Sequence, residues 1–531
     1  MTVSRKPRSL PDEQKLRLWG VGWALALTFA AAVLAAGGTL YGLVVLLDFQ
    51  KIDTTAKLDA KTLFDLVKLS FGVVAGAGAL VALVVAYRRQ RVDEAGAHRE
   101  ATRLHTERFS QAVDKLGSDS PAVRLGGVHA LAGLADDAPD DSLRQTCIDV
   151  LCAYLQLPFT PDPGTDPAHQ EEHHRYLAFR KVRHTILRLI GDHYRRPKGT
   201  HRSWQGCDLD LTGVTIDDDM NFDGAEFSGG TVSFHGATFS RGAVSFDGAT
   251  FSGGTVDFDG ATFDSDVHFE GATFSGGTVY FRVATFSNGN VHFDDATFSG
   301  SDVHFHSATF SGGNVHFDEA TFSGSDVSFD DARFSGSDVS FDIATFSGGT
   351  MYFDGATFSG SDVSFDIATF SGGTMYFDGA TFSGSDVSFD IATFSGGTMY
   401  FDGATFSGGT MSFSGATFSG GNVSFGGATF SGSDVSFHGA EFSDGNVSLH
   451  GAMFSGGALS FDLATFSGGA LSFDLATFSG SNVFFSSAAF SGGTVSFDGA
   501  TGAVPQGLLA AVGTPPPAGV TLPAAWLLSA P

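Results

Sequence analysis

Few side chains in this chain are placed to do chemistry, and their spacing argues against most of it. His169 and His173 stand i, i+4, with Glu172 and His174 beside them, the separation at which two imidazoles on one helix face can grip a metal. The run reads His-Gln-Glu-Glu-His, so the glutamate of a zinc-hydrolase helix is misplaced, and a solvated helix face is the better reading. Asp219-x-Asn221-x-Asp223-Gly224 matches the first half of an EF-hand loop, but the twelfth position is Gly230 where glutamate is needed. Ser-Gly-Gly linkers resemble phosphate-binding loops, yet the repeat region has no lysine to complete one. Cys147, Cys152 and Cys207 give an odd count and neither zinc nor CxxC spacing, which leaves buried apolar thiols. The recurring serines and histidines show no spacing that pairs a nucleophile with a base. No residue is nominated as catalytic, cofactor-binding or metal-ligating, and the chain reads as non-enzymatic with no cofactor.

Most of the chain is one repeat. From Asn221 to about Thr501 the unit A-T-F-S-G-G-T-V-S-F-D-G recurs, with Phe227, Phe239, Phe251 and Phe263 in one column and Phe234, Phe246 and Phe258 in a second. The gaps between columns alternate 5 and 7, and one unit, Asp264–Phe269, is a residue short. Within a unit Ala and Phe are two apart, as are Val and Phe, so each pair shares one face of a short strand while Thr or Ser faces out. A hairpin with a type I′ Asp-Gly turn is set aside on two grounds. Val283, Ile343, Ile367, Ile391, Leu463 and Leu475 fill the Gly place, and bulky residues resist positive φ. A meander would also leave a row of Phe without a second layer. A solenoid coil of 12 could hardly enclose its two Phe, one Val and one Ala, whereas 24 would close around four Phe. Ser335–Phe358, Ser359–Phe382 and Ser383–Phe406 are the same 24-mer three times. At ~4.8 Å per coil such a stack is roughly 55 Å long.

The residues ahead of the repeat must hold this stack. Gly20–Leu47 and Leu69–Tyr87 contain no charged residue and are each long enough to cross a hydrocarbon core of ~30 Å. The first is about twice the length of a signal-peptide apolar core, so both read as transmembrane helices. Arg5, Lys6, Arg8, Lys15 and Arg17 precede the first, and Arg88, Arg89, Arg91, Arg99 and Arg103 follow the second. The connection between them has four lysines and no arginine, which puts both termini in the cytoplasm. Gly38/Gly42 and Gly72/Gly76 offer small-residue faces for helix pairing or self-association. Residues 92–196 read as helices: Phe109, Ala112, Val113 and Leu116 form an apolar stripe stopped at Gly117, and Ser120-Pro121 restarts a helix with a cap and a first-turn proline.

The expected organisation is therefore a cytoplasmic segment 1–19, transmembrane helices 20–47 and 69–87 around an outside loop 48–68, a small all-α connector 88–198, an all-β solenoid 199–501, and a Pro-rich tail 502–531. The connector is expected to cap one end of the solenoid, and the tail, with Trp526, to fold over the other.

The columns Ala237/Phe239, Ala249/Phe251 and Ala261/Phe263 resemble the pentapeptide-repeat family, whose motif sets a small residue two before a central Leu or Phe. Cys207-Asp-Leu209-Asp-Leu211-Thr-Gly-Val214 resembles a lead-in to such repeats. With the two spans, Glu107–Leu116 and Val123–Leu134 are similar to membrane-anchored pentapeptide-repeat proteins of actinomycete-type bacteria. The resemblance implies a right-handed quadrilateral β-helix. The 7-residue gap departs from it and predicts a bulge or a longer corner on two sides of each coil.

Charge divides the chain. After position 200 there are 4 basic and 36 acidic residues, a net −32, while the first 200 carry +4. An acidic rod can stay soluble through its charge, or can imitate DNA to occupy a topoisomerase or other DNA-binding protein. The reading taken is a scaffold tethered to the bacterial plasma membrane. Its solenoid is cytoplasmic, its partners are the lipid bilayer and an unidentified protein, and nucleic acid is not expected.

Overall fold

The computed structural model describes residues 60–159, 162–513 and 515–527, with scattered positions between 27 and 41. The chain divides into two compact units, Met1–Leu104 and His105–Pro531. Helix α1 runs Ala60–Leu116. The expected span 20–47 and most of the loop 48–68 lie outside the described residues, and the expected span 69–87 falls inside α1. That apolar stretch passes from Tyr87 straight into Arg88, Arg89 and Arg91 without a helix end, so the expected boundary at 87 is not a break in the backbone. Among the described residues no helix is long and apolar enough to cross a membrane, and the expected hairpin gains no support from the structure. Gly72 and Gly76 face open space: a Cβ on either would meet nothing within 4 Å.

In the second unit the end of α1 packs with α2 (Pro121–Asp136), α3 (Asp141–Gln156) and α4 (Gln170–Tyr194). Ala112 and Leu116 are buried, and the α1–α2 crossing is so close that a Cβ on Gly127 would lie 2.6 Å from the Leu116 nitrogen. Pro121 occupies the first turn of α2 as expected, but the Ser120 side chain makes no capping bond. Its carbonyl instead accepts the amides of Val123 and Arg124 at 3.0 Å. At α3 the cap is a side chain, with Asp140 accepting from the Leu143 amide at 2.9 Å.

The repeat forms a parallel β-solenoid with a period of 24 residues. Thr345 pairs with Thr369, Phe346 with Phe370 and Tyr352 with Tyr376, each one coil on. Two walls are sheets of 12 strands, one carrying the Thr-Phe pairs such as Thr381-Phe382 and the other the Val-Ser pairs such as Val387-Ser388. The remaining wall is a 19-stranded sheet that takes two segments from each coil, merged in places into single strands such as Thr345–Tyr352. Register shifts between Phe346 and Thr350 mark the bulge that the 7-residue gap predicts. Four phenylalanines per coil fill the interior. Phe365 is 0% exposed and its ring stacks on Phe341 at 4.8 Å and on Phe389 at 4.7 Å.

The corners correct one step of the sequence argument. Each F-D-G-A segment is a turn in which the Ala amide returns to the Phe carbonyl, as from Ala368 to Phe365 at 3.1 Å. Its third residue has positive φ, as in a type II turn, and this holds even where that residue is bulky: Val283 at 60°, Ile343 at 63°, Ile367 and Ile391 at 62°, Leu463 and Leu475 at 60°. The solenoid follows from the Phe columns, while the claim that these residues resist positive φ does not hold here. The stack imposes the conformation, because the Ile367 amide must reach the Asp390 carbonyl of the next coil at 2.9 Å. A single left-handed non-Gly residue costs about 1–2 kcal/mol, and the surrounding ladder holds it in place.

Both ends of the stack are closed. Tyr194 of α4 packs on Phe227 at 5.3 Å, and Arg183 donates to the Leu155 and Thr215 carbonyls at 2.7 Å, tying the helices to the first coil. At the other end Val520 pairs with Val495, and Trp526 sits edge-on to Phe497 at 5.3 Å while donating to the Gly502 carbonyl at 3.0 Å.

Candidate interaction surface

The interior of the solenoid is occupied by ring ladders, so its outer rows are where it can meet a ligand. Most rows are small and satisfy one another. Asp362 accepts from the Asp386 amide at 2.8 Å, and Asp338 from the Asp362 amide at 2.9 Å. The serine rung beside the corner row binds a carboxylate of the preceding coil: Ser364 donates to Asp342, Ser388 to Asp366 and Ser412 to Asp390. The acids thus stand in rows repeating once per coil along the stack, unlike DNA phosphates, which wind around an axis. Burial raises the pKa of several of these carboxyls. Asp342, Asp354 and Asp378 are raised first by burial and then by acidic neighbours in their own rows.

One wall differs. In the three identical coils the V-S pair becomes M-Y, and Tyr352, Tyr376 and Tyr400 stack outward at 5.5 and 5.2 Å. Serines hold the same register on either side, at 328 and 424. The start of this wall is bordered by the corner row Ile343, Ile367 and Ile391, which are 51–64% exposed. A cavity of about 20 Å³ lies at the bulge of this wall, lined by Gly348, Gly372 and Gly396 with Phe346 and Met375. Two of the glycines are required: a Cβ on Gly372 or Gly396 would lie 2.7 or 2.5 Å from the carbonyl oxygen of Ser347 or Ser371. The wall gathers three half-buried tyrosines and is bordered by three exposed isoleucines. The signal was present as G-T-M-Y and F-D-I in place of G-T-V-S and F-D-G.

The chain itself shows how such a row receives a cation. Tyr280 occupies the Tyr352 register three coils earlier, and the Arg282 guanidinium lies 4.5 Å from its ring centroid. Arg282 also donates through Nε to Asp259 of the preceding coil at 2.9 Å. In the tyrosine coils Asp354, Asp378 and Asp402 stand where Arg282 stands, so the aromatic faces and carboxylates are present without the arginine.

The residues singled out from sequence lie elsewhere. His173 is 2.7 Å from Asp162 and does not pair with His169, which ends a short 3-10 turn. Asn221 and Asp223 form first-coil rungs, with Arg195 donating to their carbonyls at 3.0 and 2.8 Å. Cys147 and Cys152 are buried on α3, and burial pushes their thiols up to about 11 and about 12. Cys207 lies half-buried at the lead-in to the first coil, not on a helix, and burial raises it to about 11.

Residues 211–262, 241–285, 258–308 and 397–436 match the sequence family described as pentapeptide repeats (9 copies). No curated protein and no solved structure gives a significant match. The matched stretches coincide with the coils described above, including the tyrosine register at 400. Over these stretches, which form part of the solenoid, the chain is similar to the pentapeptide repeats.

Proposed function

We propose that this chain is a non-catalytic scaffold, tethered to a membrane, whose solenoid holds an arginine-bearing segment of a protein partner against the tyrosine wall. The observation that carries the reading is the Arg282–Tyr280–Asp259 arrangement, which the tyrosine coils reproduce in all but the arginine. Arginine stacks on tyrosine faces and pairs with carboxylates, so both halves of the surface favour it. The fold supports a binding role because the repeat offers identical rungs in fixed register, which suits weak, multivalent and salt-sensitive contact.

The tether rests on sequence. Gly20–Leu47 is uncharged throughout, and Leu69, Leu80, Leu83 and Val85 of α1 are exposed aliphatic side chains that need an apolar environment. The flanking arginines favour a cytoplasmic solenoid at the plasma membrane, and the open Gly72/Gly76 face of α1 suits a second helix or a second copy. A thiol reagent applied to intact cells should label Thr55→Cys and not His438→Cys; the reverse pattern would refute the orientation.

The function is tested by cross-linking in native membranes with the full chain and with Y352S/Y376S/Y400S. Serine is the residue this register already carries at 328 and 424, so the variant keeps the fold. The cross-linked partner should disappear with the tyrosines. Equal recovery from both forms would refute the assignment of this wall.

A further inference from the structure

A second departure from the serine rung lies on the Val-Ser wall. His268, His292 and His316 replace serine in three consecutive coils, paired in register with one another and flanked by Ser245 and Ser340. Their rings stack at 5.0 Å. The neighbouring corner row supplies Asp247, Glu270, Asp294 and Asp318, so carboxylates and imidazoles alternate along the stack. Three triplets each bring one donor atom per residue within 4.8 Å of one another: Asp247/His268/Glu270, Glu270/His292/Asp294 and Asp294/His316/Asp318.

We infer that this array is a metal-binding site for a divalent first-row transition ion such as Zn²⁺. His292 Nδ1 is 3.4 Å from Asp294 Oδ2 and 3.9 Å from Glu270 Oε1. Donors around a tetrahedral ion at ~2.0 Å stand ~3.3 Å apart, so small side-chain adjustments close the set. One imidazole with two carboxylates selects transition ions over Mg²⁺, which prefers oxygen alone. The ligands are held from behind: one oxygen of Asp247 accepts the Glu270 amide and one of Asp294 accepts the Asp318 amide, both at 3.1 Å, leaving the other oxygen to turn to the ion. Among the described residues no Lys or Arg forms an ion pair with these four carboxylates; their ion pairs are with His268 and His292 alone.

Adjacent triplets share a carboxylate, so all three cannot fill independently. The outer two share none, and they are two coils apart, where repulsion between two ions is half that at one coil. The array therefore holds two ions, one at Asp247/His268/Glu270 and one at Asp294/His316/Asp318.

The test is zinc titration of the full chain, free of any histidine tag, by calorimetry and metal analysis. Because serine is native to this register, His→Ser variants keep the fold. H268S and H316S should each remove one ion, H292S should leave both, H268S/H292S/H316S should remove both, and H438S should change nothing. Mg²⁺ in excess should not compete. Equal zinc content in the triple variant and the unaltered chain would overturn the site. Loss of an ion from H292S but from neither H268S nor H316S would overturn the two-ion assignment. Raised histidine pKa values without zinc uptake would make the array an imidazolium–carboxylate ladder instead.

Discussion

Replacing Phe365 with alanine removes one rung from a ladder that has no room to close. The ring is 0% exposed, stacks on Phe341 and Phe389, and meets Phe377 edge-on at 6.4 Å. Phe346 and Phe370 touch it at 6.2 and 6.0 Å. Truncating a buried Phe costs about 3–5 kcal/mol, and the five surrounding rings place this position at the upper end. In a stack of near-identical coils stability is summed over neighbours, so the loss should be local and not global. Native-state hydrogen exchange reads it directly. The amides of Phe341, Phe365 and Phe389 bond to Ser364, Ser388 and Ser412 at 2.8 Å, and these should exchange faster by about the factor for 4–5 kcal/mol. Protection in the first coils, near Phe246, should change little. Unchanged exchange at all three amides would refute the inward ladder, and uniform loss over the whole solenoid would refute the nearest-neighbour account.

Three further outcomes follow from particular residues. Gly373→Ala should destabilise more than Gly379→Ala, since both have positive φ but only at Gly373 would a Cβ strike backbone, 2.8 Å from the Gly349 oxygen; thermal unfolding of the two variants should show that order. Asp342, Asp354 and Asp378 have folded pKa values above their unfolded ones, so the folded form binds protons more readily and acidification from neutral pH should stabilise their coils. Asp162 and Asp210 in the cap region are lowered, chiefly by hydrogen bonds from Gly164 and Thr212, so their contribution should fade below about pH 4 as they protonate; exchange measured by region would show opposite trends at the two places.

The fold was legible because the repeat writes its own geometry. Phe columns at alternating 5 and 7 residues, with an exact 24-mer copied three times, set coil length, inward faces and bulged wall before any coordinates. The corners were not legible, because a residue-by-residue view of Ile343 or Leu463 predicts strain, while the neighbouring coil decides its φ. The sites were hidden for a related reason. His268 and Glu270 are two apart and visible in sequence, but His292 meets Glu270 only once coils stack 24 residues on. The tyrosines at 352, 376 and 400 lie a coil apart in the same way, and their meaning depends on Arg282, which lies on another coil of the same stack. The expected membrane spans depend on residues mostly outside the described structure, and so they rest on charge and hydropathy alone.

Arginine binding at the tyrosine wall is the central proposal to test. Titrating the full chain with oligo-arginine and oligo-lysine peptides of equal length, at low and high salt, separates stacking from simple charge attraction. Arginine should bind more tightly than lysine, with the difference persisting at high salt and lost in Y352S/Y376S/Y400S. Equal binding of the two peptides, or an arginine preference that survives removal of the three tyrosines, would contradict it.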